Sequence, residues 1–123
     1  MYLTDYFRII EDSLKHLRPL LITNIQLTEY TNYTGVIRGS ILFPDGSILH
    51  FREYLNLKLS TPKKTYSYHY QKEDECIFRY DNAPHHPEVT SFPHHKHLKD
   101  DLSSSSPPEL SEVILEIMQQ RTK

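Results

Sequence analysis

The sequence predicts an α+β fold: an antiparallel five-stranded meander sheet flanked by an N-terminal and a C-terminal helix. Three observations carry this. Apolar residues recur at helical spacing near both ends of the chain. Through the middle they alternate with polar ones, and Pro44-Asp45-Gly46-Ser47 sets a hairpin turn between two such runs. The helices would cover one face of the sheet, leaving the other for a loop or a partner.

Each element has its own justification. Thr4 or Asp5 can cap a first helix running to about Leu17, with Tyr6, Ile9, Ile10, Leu14 and Leu17 on one face. Arg8, Glu11, Asp12 and Lys15 fall on its wet side, and Pro19 stops it. The first strand, Leu21 to Tyr30, turns Leu21, Thr23, Ile25 and Leu27 one way. The second, Tyr33 to Phe43, carries Gly35, Ile37, Gly39 and Ile41 on one face. In the third, Ile48 to Leu57, Glu53 stands among Leu49, Phe51, Leu55 and Leu57. A carboxyl group there needs a partner or a raised pKa. The fourth strand, Thr65 to Gln71, follows a basic loop and separates Tyr66, Tyr68 and Tyr70 from Ser67, His69 and Gln71. The fifth, Cys76 to Tyr80, runs directly into a stretch rich in histidine and proline.

Three segments follow from this order: a single α+β domain over residues 1–99, with a His-Pro loop at 82–97; a polar Ser/Pro connection at 100–108; and a C-terminal helix at 109–121. Ser106, Pro107 and Glu109 resemble a capping box, and Leu110, Val113, Ile114, Ile117 and Met118 make a stripe expected to pack on the sheet, the alternative being that this apolar face binds a partner.

Composition narrows the function. A formal charge of −2 across 123 residues gives no global basic field of the kind that marks nucleic-acid binding. The charge is uneven, however: residues 47–99 hold eight Lys or Arg against six Asp or Glu, and the remainder six against ten. Cys76 is the one cysteine, so neither an intramolecular disulfide nor a cysteine zinc site is available. No signal peptide and no membrane span is read, and a cytoplasmic location is expected.

The His-Pro stretch is the candidate site. Five of eight histidines, His85, His86, His94, His95 and His97, fall within thirteen positions, punctuated by Pro84, Pro87 and Pro93. Proline stiffens the loop, and imidazole titrates near neutrality. Three readings stand side by side. In the first, His94 and His97 with the His85-His86 pair and Asp81 or Glu53 hold a metal. In the second, two histidines act as acid and base in RNA cleavage, with Arg79 or Lys96 as the cation for the phosphate. Tyr68 or Tyr80 would stack on an unpaired base, and Lys63 and Lys64 would add charge. In the third, the loop packs across the sheet with its imidazoles bonded to carbonyls and to Glu53. Adjacent histidines on extended chain point apart, so no stoichiometric transition metal and no cofactor is expected.

The runs Arg79-Tyr80-Asp81-Asn82-Ala83-Pro84-His85-His86-Pro87 and Phe92-Pro93-His94-His95-Lys96-His97, with the Asp45-Gly46-Ser47 turn and Glu53, resemble the TumE-type toxins of prokaryotic toxin–antitoxin systems. The resemblance implies a cytoplasmic protein paired with a cognate antitoxin, a DNA-binding one, and a toxic activity on RNA. It carries no catalytic assignment. The candidate catalytic residues, Glu53, Arg79, Asp81, His85, His86, His94, His95, Lys96 and His97, come from the chemistry above. The rival expectation is a non-enzymatic module that binds a metal or a protein through the His-Pro loop.

Overall fold

The computed structural model describes residues 1–17, 22–59, 63–84 and 87–121, with backbone alone at 63 and 121. Helix α1 spans Leu3–Lys15. Seven strands follow: β1 Ile22–Glu29, β2 Thr34–Leu42, β3 Ile48–Asn56, β4 Lys63–Lys72, β5 Glu75–Asp81, β6 His95–Leu98 and β7 Asp101–Ser104. Helix α2, Leu110–Arg121, closes the chain. All seven strands form one antiparallel sheet in sequence order.

The alternating runs become β1 to β5 largely as read, but the sheet has seven strands rather than five. Strand β6 arises inside the stretch read as a loop, and β7 inside the polar connection. Neither has the apolar alternation that marks a strand in sequence. The physical reason is the edge of β5, whose backbone N–H and C=O groups need partners. His95–Leu98 pairs along that edge, and Asp101–Ser104 folds back on it after a turn at Lys99 and Asp100.

Both helices pack on one face. Ile37, Ile41, Leu49, Phe51, Leu55, Tyr66, Tyr68, Tyr70 and Phe78 form a core with Leu3, Ile10 and Leu14 of α1 and with Leu110, Val113, Ile114 and Ile117 of α2. Burying such side chains contributes about 1.5–3 kcal/mol each. The α1 stripe is rotated from the expected one. Leu3 is buried and Phe7 packs on the core, while Ile9 is 55% exposed. Gly35 permits this approach, because a Cβ there would lie 2.5 Å from Leu3 Cδ2. The helix starts are also shifted. Asp5 accepts from the Tyr2 N–H (3.0 Å) rather than standing at the cap itself, and Glu112 accepts from the Glu109 N–H (2.9 Å).

At the predicted hairpin, Gly46 adopts φ +88°, and Asp45 Oδ1 accepts from the Ser47 N–H (3.0 Å). Pro19, Leu21 and Pro62 lie outside the described residues. Among the described residues, no helix is long and apolar enough to cross a membrane.

Candidate functional site

Strand alternation divides the predicted site residues between the two faces of the sheet. On β5 and β6, Tyr80 pairs with Lys96 on the side covered by the helices. Arg79, Asp81, His95 and His97 therefore point to the other side. His94 and His95 likewise diverge, as adjacent residues of extended chain must. His95 and His97, two apart, converge.

Asp81 is the hub of this second group. It is buried, and its Oδ1 lies 2.8 Å from His95 Nε2 while accepting from the Ala83 N–H at 3.0 Å. Its Oδ2 accepts from Arg79 Nε at 3.0 Å and lies 3.6 Å from His97 Nε2. His95 Nδ1 lies 2.9 Å from the Pro93 carbonyl oxygen, so both nitrogens of this buried ring face acceptors. The His95 and His97 rings meet edge-to-face with centroids 4.7 Å apart. Burial separates roles within the cluster. Asp81 and His95 are closed off, whereas the side chains of Arg79 and His97 are 45% and 35% exposed and can meet a ligand.

The sheet register adds two histidines that sequence reasoning did not select. Across β3, β4, β5 and β6, His50, His69, Arg79 and His97 stand side by side in one row. His50 and His69 have ring centroids 6.5 Å apart. Burial holds the His69 imidazole below its usual range, with Arg79 and His50 adding to that, against its hydrogen bond with Gln71. The signal for these residues was the alternation that sends Leu49 and Tyr68 inward, which turns His50 and His69 outward. Their adjacency to Arg79 required the strand order.

The helix-covered face holds the remaining predicted residues, and several expectations are corrected there. Glu53 does not pair with Arg79, His94 or His97. It is 1% exposed and accepts from the Tyr6 hydroxyl (2.5 Å) and the Tyr68 hydroxyl (2.8 Å). Burial, and then Glu53, push both phenols above their usual range, so both remain donors. Tyr68 is fully buried and Tyr80 nearly so, which leaves neither ring a face on which a base could stack. Lys96 lies over the Phe78 and Tyr80 rings and pairs with Glu116 at 3.0 Å, on the opposite side from Asp81. Lys64 pairs with Glu109 at 3.3 Å.

His94 stacks on Tyr66, whose hydroxyl oxygen lies 2.9 Å from His94 Nδ1. Both line a cleft of about 490 Å³ with Tyr6, Lys64 and Asn82. His85, His86 and the side chain of Lys63 lie outside the described residues.

Asp81, His95 and His97 could also hold a metal ion, since their ligand atoms lie within 4.8 Å of one another. This differs from the expected His94–His97 set, because residues 94 and 97 face opposite sides of the sheet. The Pro93 carbonyl at His95 Nδ1 is the kind of second partner that fixes a ligating imidazole.

The fold and the site together define a small α+β protein with helices on one face of a meander sheet and an Asp/His/Arg cluster on the other. The family described as "Toxin TumE" matches residues 7–122, nearly the whole chain, and the chain belongs to that family. No curated protein and no solved structure matches it.

Proposed function

We propose that this member of a toxin family cleaves RNA without a metal, by acid–base chemistry on the outer face of the sheet. The observation that supports this most directly is Asp81 drawing together Arg79 and His97, both still open to solvent. Cleavage by an adjacent 2′-hydroxyl needs a base to take its proton, an acid for the leaving 5′-oxygen and a cation for the phosphate. His97, oriented by Asp81, supplies one proton-transfer group. Arg79 meets the phosphate. His69, next to Arg79 on its other side, supplies the second imidazole, roughly 10 Å from His97 across two strand steps. His95 touches no ligand; it positions Asp81.

Membership in a toxin family implies an antitoxin partner, and we place a DNA-binding antitoxin in that role. The test is cleavage of a defined single-stranded RNA by purified protein in the presence of a chelator. Products ending in a 2′,3′-cyclic phosphate and a 5′-hydroxyl, lost in His97→Ala, are expected. Intact RNA, or cleavage that appears only when a metal is added, would overturn the reading.

A second reading is a non-enzymatic module that binds a metal or protein partner, and the Asp81–His95–His97 set favours its metal form. Elemental analysis separates the two. About one zinc or iron per chain, lost in His95→Ala, would favour the module.

A further inference from the structure

Helices cover one face of the sheet, while on the other face of β1 to β5 the central side chains are polar and largely exposed. The register aligns two rows across this face. One row reads Asn24, Ser40, His50, His69, Arg79 and His97. The other reads Gln26, Arg38, Arg52, Ser67, Asp81 and His95. The only carboxylate in the two rows is Asp81, already engaged by Arg79 and His95.

Arg38 and Arg52 are the unexplained pair. They stand directly opposite each other on β2 and β3, and both are exposed. Like charges in that position repel and weaken strand pairing. Among the described residues, no carboxylate lies within ion-pair distance of either. Bound anions would relieve the repulsion.

We propose that this face binds the phosphate backbone of single-stranded RNA, laid across the strands from Arg38 and Arg52 towards Arg79 and His97. The inference rests on the RNA-cleavage reading for its end point, since the strand leads to the group around Asp81. Its geometry stands on the register. Arg52 and Arg79 are two strand steps and two residues of rise apart, roughly 12 Å, so one extended strand reaches both. His50, tilted against His69 beside the arginines, offers its ring to an unstacked base, and Tyr54 lies on the same face. A protein partner would need an apolar patch at the centre of its contact. Here the centre is Arg38, Ser40, His50, Arg52, Ser67 and His69. Charge complementarity and polarity together select a nucleic acid.

The experiment uses the full chain and a labelled 20-nucleotide single-stranded RNA, with fluorescence anisotropy read over a salt series. His97→Ala serves as the background, so that the RNA stays whole. Adding Arg38→Gln and Arg52→Gln should weaken binding roughly tenfold and reduce the salt slope by about 1.4, for two lost phosphate contacts. Melting should show the double variant at least as stable as its background. Unchanged affinity and slope in the folded double variant would overturn the track. So would equal loss of binding to an acidic protein with RNA binding intact, which would make this a protein-docking face. A DNA strand of the same sequence shows whether the 2′-hydroxyl matters; DNA bound as tightly would leave a backbone track without RNA selectivity and overturn the assignment to RNA. Hydrolysis of a dinucleotide, too short to reach Arg38, separates the two proposals. If it persists while the track variants bind normally, the chemistry stands and the track fails. If RNA is never cleaved yet binding falls with Arg38 and Arg52, the track stands alone.

Discussion

His95 is held between two acceptors: its Nε2 lies 2.8 Å from Asp81 Oδ1, and its Nδ1 lies 2.9 Å from the Pro93 carbonyl oxygen. A neutral imidazole donates from one nitrogen only. One of the two contacts therefore needs a further proton or a cation. Zinc added to the metal-free protein should leave the nitrogen NMR signals of His95 unchanged if the site is metal-free. Asp81→Ala removes the acceptor shared by His95, Arg79 and the Ala83 N–H, and should cost about 3–5 kcal/mol in urea unfolding. A loss under about 1 kcal/mol would show that the cluster does not depend on this carboxyl group.

Glu53 is predicted to act on stability. Glu53→Ala leaves the buried Tyr6 and Tyr68 hydroxyls without their acceptor and should cost about 2–5 kcal/mol. In the same background, Tyr6→Phe and Tyr68→Phe should then cost much less than they do alone, because the three groups form one unit. Growth inhibition should persist at temperatures where the variant is folded. Toxicity lost in a folded Glu53→Gln protein would return this residue to the site.

For Arg79 and His97 the expectation is the reverse. Arg79→Gln and His97→Ala should each lower RNA cleavage by roughly 10²–10⁴ while circular dichroism and melting stay close to those of the parent. The double variant should be little worse than either single one, since groups that act together do not add. Expression without the antitoxin gives the cellular readout. Two folded variants as toxic as the parent would move the chemistry elsewhere.

Acid should destabilise the fold through His94. Burial, with His95 and Lys64 adding to it, holds its pKa below the usual 6.5. Below pH 6.5 the unfolded chain therefore binds a proton that the folded chain does not, and stability falls with pH. Above that value the penalty is absent. His69 is depressed in the same direction by burial. Melting curves from pH 7.5 to 5.5 should fall more steeply for the parent than for His94→Gln. Parallel curves would show that His94 titrates alike in both states.

What could be read from the sequence depended on local pattern. Leu49, Phe51, Leu55 and the tyrosines of β4 alternate because one face is buried, and Asp45-Gly46 turns the chain because glycine reaches positive φ. Leu110, Val113, Ile114 and Ile117 mark α2 by helical spacing. The family resemblance was equally local, in the runs around Arg79-Tyr80-Asp81 and Phe92-Pro93-His94. What local pattern could not reveal was β6 and β7, because His95–Leu98 is a strand only through pairing on the edge of β5, and Asp101–Ser104 only through pairing on β6. Nor could it show that Glu53 belongs to Tyr6 and Tyr68 while Asp81 belongs to Arg79, His95 and His97. Alternation places a residue on one of two faces. Only the strand order and register, paid for by backbone pairing along the whole sheet, decide which residues of distant segments share that face.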